Sequence, residues 1–392
     1  MKTLQLQKNQ EKRLLAGHLW IFSNEVDNTV LPLRECSEGE LAIIKAYNGR
    51  VLGKAYVNPR CLLCARLLTR NIDEKIDKNF FLRKIEIALK KRSLNFSSPY
   101  YRLIYGESDG LPGLVIDRFN EVIVIQINTA GMEKLTEMVI DSIVTLLKPT
   151  TIVLHNESSE RVIEGLEQYI KVVYGKENAF CTVLENQCEY RVPLLAGQKT
   201  GWFYDQRYNR KRIATYCRDK KVLDMFSYLG AFGLPCAKAL ASSVLCVDSS
   251  PSAVALLQEN IKLNQLNNVV TECADGFLFL KDLQQRKEKF DVIILDPPAF
   301  IKRKKDFNTG FHAYIKLNQL ALTLLNADGV LFSASCSMHL SAHELLDAIR
   351  RAALKSERNI SVLEQCHQAT DHPVHPAIAE TNYLQGFIIY VV

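Results

Sequence analysis

Long apolar runs are missing from this 392-residue sequence. No segment approaches the roughly 20 consecutive apolar residues that a membrane-spanning helix needs. The amino-terminal stretch MKTLQLQKNQEKRLLAGHLW carries scattered charges and lacks the apolar core of a signal peptide. The sequence therefore predicts a cytoplasmic protein that has no membrane partner.

Paired cysteine motifs are also scarce. The eleven cysteines are spread thinly and often lie inside apolar runs such as SSVLCVD, so most are interpreted as reduced, buried, small hydrophobic residues. A single CxxC, Cys61 to Cys64, has no second pair, and His372 with His375 has no third ligand beside it. Because a structural zinc ion takes four ligands, we predict no metal site.

Charge of one sign is only in slight excess. Lys and Arg number 49 against 43 acidic residues, which gives a net charge of +6, and 47% of the residues are hydrophobic. This mild basicity is compatible with nucleic acid as a partner but does not establish it. The length predicts roughly two to three domains. We divide the chain into a β-rich domain at 1–72, an α+β domain at 73–185 and an α/β domain at 186–392.

Regular alternation of strands and helices marks the last part as a doubly wound parallel sheet. Its predicted strands are KVLDMF, SSVLCVD, NVVTECAD, DVIILDPP and GVLFSASCS. Four acidic residues fall at the carboxyl ends of these strands: Asp224, Asp248, Asp275 and Asp296. A single acid there can be an ordinary helix cap, but four acids at one edge favour a ligand site, because open α/β sheets bind ligands at that edge.

The turn DMFSYLGAFG after the first of these strands lacks the G-x-G-x-x-G run that accommodates a pyrophosphate. A cofactor without phosphates does not need that close approach, and S-adenosylmethionine fits, because acids suit its cationic sulfonium. Asp248, at the end of the second strand, is placed to accept hydrogen bonds from the ribose hydroxyls. We predict these cofactor-binding residues: Asp224, Phe226, Ser227, Gly230, Asp248, Asp275, Asp296 and Pro297.

Several segments together resemble the RlmI-type 23S ribosomal RNA methyltransferases, which methylate C5 of cytosine. They are GHLWIFSNEV, YGESDGLPGLVIDRF, GQKTGWFYDQRYNR, VLDMFSYLGAFG, LDPPAF, SASCS and DHPVHPAIAETNYL, so the resemblance spans nearly the whole chain. It implies an amino-terminal PUA domain, a central α+β domain, a Rossmann-like methyltransferase domain, 23S ribosomal RNA as substrate and a homodimer. It also implies that QKTGWF, residues 198–203, closes over the cofactor.

Methylation of cytosine at C5 requires a nucleophile, because C5 becomes reactive only after a group adds to C6. We predict that Cys336, which follows the strand GVLFSAS, supplies the thiolate, and that Asp296 hydrogen-bonds the N3 and N4 edge of the base. Met338 and His339 depart from the small residue that usually follows Ser-Cys-Ser in this family. The basic run Lys302, Arg303, Lys304 and Lys305 is either a solvated loop or a phosphate-binding segment of the RNA site.

Two other functions stay open on the sequence alone. One keeps the cofactor but methylates a ring or exocyclic nitrogen of an RNA base, which needs Asp296-Pro297-Pro298 but no thiol. The other is a non-catalytic RNA-binding protein of ribosome assembly, in which the methyltransferase-like domain serves as a scaffold. A nicotinamide oxidoreductase is disfavoured, because the glycines that bind pyrophosphate are missing.

Overall fold

The computed structural model describes residues 1–197 and 200–392 of the chain. The described residues form two compact units. The first unit comprises Met1–Cys181, Pro193–Tyr204 and Thr370–Thr381, and the second comprises Thr182–Val192, Asp205–Ala369 and Asn382–Val392. Within these described ranges, no helix has both the length and the apolar character needed to cross a membrane.

A five-stranded sheet forms the amino-terminal part of the first unit. Its elements are β1 (Lys2–Gln5), α1 (Lys12–Leu15), β2 (Trp20–Phe22), β3 (Glu40–Lys45), β4 (Val51–Val57) and β5 (Leu63–Thr69). The strand order is β1-β3-β4-β5-β2, with β1 parallel to β3 and the other pairs antiparallel. Alternate residues of β3, Ala42 and Ile44, are fully buried in the core of this sheet, as expected for a strand with one covered face.

A second five-stranded sheet completes the first unit. Its elements are α2 (Lys78–Ser93), β6 (Tyr100–Tyr105), β7 (Leu114–Phe119), β8 (Val122–Ile127), α3 (Ala130–Glu133), α4 (Thr136–Leu147), β9 (Thr151–Asn156), α5 (Ser159–Ile163) and β10 (Tyr169–Gly175). The strand order is β10-β9-β8-β7-β6. Helices α2 and α4 pack through Phe81, Ile85, Val139 and Ile143 into the core of this sheet. Asp77 begins α2 by accepting the N–H of Phe80.

A two-stranded hairpin follows, formed by β11 (Phe180–Glu185) and β12 (Cys188–Pro193). Asn186 and Gln187 connect the strands with φ values of 51° and 63°, as a tight hairpin turn requires. The predicted boundary between residues 185 and 186 lies in this turn. The division into three domains at 72 and 185 stays a prediction.

The second unit contains a seven-stranded sheet with helices on its faces. Its elements are α6 (Arg207–Ala214), β13 (Lys221–Met225), α7 (Gly233–Lys238), β14 (Ser243–Asp248), α8 (Pro251–Leu263), β15 (Val269–Cys273), α9 (Gly276–Gln285), β16 (Phe290–Leu295), α10 (Phe307–Leu324), β17 (Leu325–Ser335), α11 (Ala342–Lys355), β18 (Ile360–His367) and β19 (Gln385–Val391). The strand order is β15-β14-β13-β16-β17-β19-β18.

Strand β16 lies at the centre of this sheet and is parallel to both of its neighbours, β13 and β17. Ile293 and Leu295 face a core cluster that includes residues of α9, α10 and α11, and the alternate residues Val292 and Ile294 are equally buried. Burial on both faces is the reason that the sequence of this strand is continuously apolar. The strand ends before Asp296-Pro297-Pro298, because proline has no N–H for the ladder.

The predicted α/β class is confirmed, and the five predicted strands of the last part are β13 to β17. The end of the sheet was not predicted. Strand β19 runs antiparallel to β17, and β18 runs antiparallel to β19 at the sheet edge. The sequence MEKLTEMVIDSIVTLL predicts one helix, but the structure has two, α3 and α4, because the N–H of Leu135 bonds the carbonyl of Met132, three residues back instead of four.

Candidate active site

The carboxyl ends of four parallel strands, β13, β14, β16 and β17, lie at one edge of the sheet in the second unit. The strand order reverses between β13 and β16, because the chain proceeds from β13 outwards through β14 and β15 and then returns to β16. This switch point is where a doubly wound sheet forms a ligand crevice. Asp224 on β13 and Asp296 after β16 are therefore on either side of the crevice.

Asp224 is fully buried. Its Oδ2 accepts the N–H of Gly233 at 2.8 Å, at the start of α7, and its Oδ1 has no hydrogen-bond partner among the described residues. Burial raises the pKa of the carboxyl well above its usual range; the Gly233 N–H opposes this shift, and the charges of Asp296 and Asp248 add to it. An uncompensated acceptor of this kind is suited to a ligand that brings a cationic donor.

The turn after β13 has an unusual backbone. Phe226, Tyr228 and Gly230 have φ values of 64°, 49° and 83°, and only the last of these is a glycine. Left-handed conformations of other residues cost free energy and are concentrated at functional sites. Ser227 is buried in this turn, and its Oγ has no hydrogen-bond partner among the described residues. The turn thus adds a second unsatisfied polar atom beside β13.

Asp248, at the end of β14, supports the same turn. Its Oδ2 accepts the N–H of Tyr228 at 2.8 Å, and its Oδ1 accepts the N–H of Ser250 at 2.9 Å. Each carboxylate oxygen has a second lone pair, so both can still accept a ligand hydroxyl. Asp275 is more exposed and caps α9, where its side chain accepts the N–H of Leu278 at 3.0 Å.

Asp296 is half-buried directly after β16, and two residues that were not predicted as site residues hold it in place. Gln206 donates its Nε2–H to Asp296 Oδ1 at 2.8 Å, and Asn209 on α6 donates to Gln206 Oε1 at 2.6 Å. Asn209 also donates to the carbonyl of His367. This chain of amides fixes the orientation of the carboxylate. Both residues lie in FYDQRYNR, about ninety positions before the aspartate.

Cys336 follows β17, the strand next to β16, and its Sγ lies 3.9 Å from the carbonyl oxygen of Pro297. It is partly exposed, whereas nine of the eleven cysteines are buried and Cys273 is the one fully exposed. The predicted nucleophile and the predicted base-binding residues are thus brought together at neighbouring strand ends. The distance alone does not assign their roles.

Tyr314, on α10, anchors the serines on both sides of Cys336. Its hydroxyl accepts a hydrogen bond from Ser335 Oγ at 2.7 Å and lies 2.9 Å from Ser337 Oγ, and Ser337 Oγ accepts the N–H of Ile301 at 3.2 Å. Burial raises the pKa of Tyr314, so the hydroxyl stays protonated. With both serines turned into the protein, the cysteine between them is presented at the surface of the crevice.

The basic run Lys302 to Lys305 is exposed and precedes α10. Arg303 pairs with Asp306 at 3.1 Å. The segment predicted to close over the cofactor is only partly described: Gln198 and Lys199 lie outside the described residues. Thr200, in the first unit, is buried and donates its hydroxyl to Asp117.

The cysteines and histidines that were weighed as metal ligands have other partners. Cys61 and Cys64 are buried thiols, and His372 Nδ1 lies 2.9 Å from Asp371 Oδ1 in the first unit. Across residues 1–197 and 200–392 there is no group of three or more His, Cys, Asp or Glu side chains arranged to hold a metal ion.

Two family models match the chain. A PUA-like domain matches residues 4–70, and a TRM5/TYW2 methyltransferase domain matches residues 182–309. The first match confirms the prediction of a PUA-like domain at the amino terminus. The second includes the turn after β13 and Asp296 but ends before Cys336.

Full-length relatives decide the family. The ribosomal RNA large subunit methyltransferase I of Aliivibrio fischeri strain MJ11 is 35% identical over 396 residues, which cover 100% of this chain and 99% of the relative. The chain belongs to the ribosomal RNA large subunit methyltransferase I family. The family member from Shigella boydii serotype 18 is also 35% identical, over 98% of both chains.

The architecture of this family member matches solved structures along its whole length. A Streptococcus mutans protein described as an S-adenosylmethionine-dependent methyltransferase superposes with a TM-score of 0.84 at 21% identity, covering 100% of both chains. A second methyltransferase structure, solved with S-adenosylhomocysteine, has a TM-score of 0.85 at 22% identity, again over 100% of both chains. These two structures confirm the methyltransferase fold.

Proposed function

We propose that this protein transfers a methyl group from S-adenosylmethionine to C5 of a cytosine in 23S ribosomal RNA. The observation that carries the proposal is the position of Cys336 beside Asp296-Pro297, at the sheet edge that also holds Asp224. Membership in a family named for methylation of large-subunit ribosomal RNA supports the same substrate class.

The residues of the crevice fit the cofactor. The unsatisfied Oδ1 of Asp224 and the unsatisfied Oγ of Ser227 match the ammonium and carboxylate of its amino-acid end, and Asp248 retains acceptor capacity for ribose hydroxyls. Asp275 and Phe226 are at the same edge. When bound, the cofactor supplies an electrophilic methyl group on a cationic sulfur. Neither phosphate-binding glycines nor a metal is needed for this set of contacts.

The chain's own residues supply the activation of the base. The Cys336 thiolate would add to C6 of cytosine and the electrons of the C5–C6 bond would move to C5. C5 would then bond to the methyl carbon as the bond between that carbon and the cofactor's sulfur breaks, with the electron pair left on the sulfur. Asp296, oriented by Gln206, hydrogen-bonds the N3 and N4 edge and favours protonation of the ring as the thiolate adds. A base would then take the C5 proton, the electrons of the C5–H bond would re-form the C5–C6 double bond, and the Cys336 thiolate would be expelled from C6.

The target cytosine must be unpaired or flipped out of its stack to reach Cys336. The exposed run Lys302 to Lys305 lies a few residues after Pro297 and is suited to hold the flanking phosphates. A homodimer and a cytoplasmic location, both expected from the sequence, stay predictions.

Nucleoside mass spectrometry on in vitro transcribed 23S ribosomal RNA tests the proposal. Wild-type protein with S-adenosylmethionine should produce 5-methylcytidine, and Cys336→Ala should lower its rate of formation by at least about 1,000-fold, because no other group can add to C6. RNA containing 5-fluorocytidine should trap wild-type protein as a covalent adduct, because fluorine at C5 cannot leave as a proton would.

Cys273→Ala is the matched control, since Cys273 is exposed and lies at the end of β15, away from β17. It should keep the wild-type rate. If Cys336→Ala still methylates the transcript, and the product is an N-methylated nucleoside, methylation at C5 is wrong and the nitrogen alternative replaces it. If neither protein methylates any RNA although both bind S-adenosylmethionine, the 23S substrate is wrong.

A further inference from the structure

The first unit contains a cleft, and none of its lining residues belongs to the candidate active site. Its volume is about 480 Å³, and residues of β5, α2 and the loop at 106–110 line it. The lining that matters here consists of Leu19, Arg70, Lys84, Ile87 and Lys91. We refer to these five residues as the cationic cleft.

One face of α2 supplies three of these side chains. Lys84, Ile87 and Lys91 are spaced i, i+3 and i+7, which places them along a single stripe of the helix. Ile87 is 52% exposed, an unusual position for a large apolar residue between two lysines. The cationic cleft thus combines an uncovered apolar wall with ammonium groups at both ends of it.

The two acids of the cleft are already engaged by other groups. Asp109 is held by the Arg92 guanidinium through two hydrogen bonds of 2.8 and 2.7 Å, and it also contacts Lys91 at 3.2 Å. Glu107 accepts the indole N–H of Trp20 at 2.9 Å. Among the lining residues, Arg70, Lys84 and Lys91 exceed the two acids by one positive charge, and the buried Arg92 behind Asp109 raises the excess to two.

Lys84 and Arg70 are the cations of the cleft whose N–H donors are not all used. Lys84 makes no hydrogen bond or ion pair with any described residue, although its ammonium lies 5.5 Å from the centre of the Phe80 ring. Arg70 uses one nitrogen to reach the carbonyl of His18 at 3.2 Å and forms no ion pair with a described residue. Both groups therefore have donors available to an anion.

The charges around Lys84 affect its ammonium group. Burial lowers the pKa of Lys84, Glu74 opposes this shift, and the nearby charges of Lys91 and Arg83 add to it. Lys91 and Arg83 already have Asp109 and Glu74 as partners, so the repulsion that they exert on Lys84 is only partly offset. An anion bound beside Lys84 would remove part of this repulsion. A lysine on a fully solvated helix face would gain little from such an anion.

We propose that the cationic cleft binds a backbone phosphate of a single-stranded RNA segment, with the adjoining ribose and base against Leu19 and Ile87. The inference rests on the proposed function for its choice of RNA as the ligand. Proteins hold single strands with a positive groove that follows the backbone and with aromatic platforms on which bases stack. Here the positive groove is present, the platform is aliphatic, and the volume suits one nucleotide unit. This contact is separate from the site at Cys336 and would hold the substrate at a second point.

Fluorescence anisotropy with a labelled oligouridylate of about 20 nucleotides tests the inference, because this probe has no secondary structure and reports backbone binding. The double variant Arg70→Gln, Lys84→Gln should bind about tenfold more weakly than wild type at about 0.1 M salt. The slope of log affinity against log salt should fall by about one to two, because it decreases by about one for each phosphate that the variant no longer neutralises.

Lys90→Gln is the matched control, because Lys90 is exposed on the same helix but lies outside the cleft. Lys90→Gln should change neither the affinity for the oligonucleotide nor the slope of log affinity against log salt. The inference is wrong if the double variant binds like Lys90→Gln, if wild type does not bind the oligonucleotide, or if a polyglutamate peptide binds the cleft in preference to RNA. Binding of S-adenosylmethionine by the double variant should be unchanged, so a failure of the cleft and a failure of the methyltransferase proposal give different results.

Discussion

Burial of the Asp224 carboxyl costs the folded protein free energy when the group is ionised. A carboxyl that is fully buried, with one oxygen unsatisfied, is disfavoured as an anion. Its raised pKa means that the folded protein holds a proton that the unfolded chain releases near its ordinary pKa of 3.8. The proton stabilises the folded state below that ordinary pKa, and this contribution is lost as the pH rises through the raised folded pKa.

Replacement of this residue makes a prediction with a defined sign. Between the two pKa values the wild-type free energy of unfolding should fall with rising pH by up to about 1.4 kcal/mol per pH unit. Asp224→Asn should lose this dependence and become the more stable protein as the pH increases. Its affinity for S-adenosylmethionine should drop by about 10- to 100-fold, because a charge-assisted hydrogen bond is removed.

Urea unfolding from about pH 5 to about pH 8 measures the first effect, and calorimetric titration with S-adenosylmethionine measures the second. Asp219→Asn serves as control, since Asp219 is exposed in a turn of the same unit. It should leave the pH dependence as in wild type. Equal pH dependence in Asp224→Asn and wild type would contradict the assignment of the buried proton to Asp224.

At the scale of elements, the turn between β13 and α7 depends on one glycine. A Cβ at Gly230 would lie 2.3 Å from Cδ1 of both Leu234 and Leu257, and its φ of 83° disfavours any other residue. Gly230→Ala should therefore lose about 2–5 kcal/mol of stability, the sum of backbone strain and overpacking. The turn carries Phe226 and Ser227, which are predicted to contact S-adenosylmethionine. Displacement of these two residues by the added methyl group should lower the affinity for S-adenosylmethionine by more than about tenfold.

Gly49→Ala is the control that carries the backbone strain of Gly230→Ala without its packing clash. Gly49 has the same φ of 83°, but a Cβ there meets no atom within 4 Å. Thermal unfolding should show a loss of only about 1–2 kcal/mol from the strained backbone, with cofactor affinity unchanged. If the two variants lose equal stability, the contacts with Leu234 and Leu257 do not restrict this turn.

Elements with continuous or periodic apolar patterns were predictable from the sequence. The central strand β16 was, because burial on both faces leaves an uninterrupted apolar run ending in polar residues. Strand β15 lies at the sheet edge and is largely exposed, and the regular alternation of strands and helices is what predicted it. Strands β18 and β19 were not, since their antiparallel pairing depends on partners distant in the chain. The break between α3 and α4 also escaped, because no proline or glycine marks it.

The candidate site divides in the same way. Asp224, Asp296 and Cys336 were predictable because they follow recognisable strands. The roles of Gln206 and Tyr314 were not, because each acts from another element on a residue that the tertiary fold brings near, although Gln206 lies in one of the segments that carry the family resemblance. A side chain that positions another residue leaves no local pattern, so these supporting residues emerge only from the structure.

At the scale of the whole molecule, the first unit joins distant segments through one buried carboxylate. Glu164 accepts Asn58 Nδ2 at 2.7 Å, Arg66 at 2.7 Å and the N–H of Ala130 at 3.2 Å. These partners come from the amino-terminal sheet and from the start of α3. Satisfied in this way, the carboxylate fixes the packing of segments that are up to 106 residues apart.

Loss of this carboxylate should therefore destabilise the first unit selectively. Glu164→Ala leaves Arg66 and Asn58 without their partner and should cost about 3–5 kcal/mol, whereas Glu160→Ala, exposed on α5, should stay within about 0.5 kcal/mol of wild type. Hydrogen exchange should locate the loss in β4, β5 and α3. Affinity for S-adenosylmethionine at a temperature well below unfolding should stay within about twofold of wild type, since the eight residues predicted to bind the cofactor, from Asp224 to Pro297, belong to the second unit. A large fall in that affinity, with protection of the first unit intact, would mean that Glu164 acts on the cofactor site and not on the packing of its own unit.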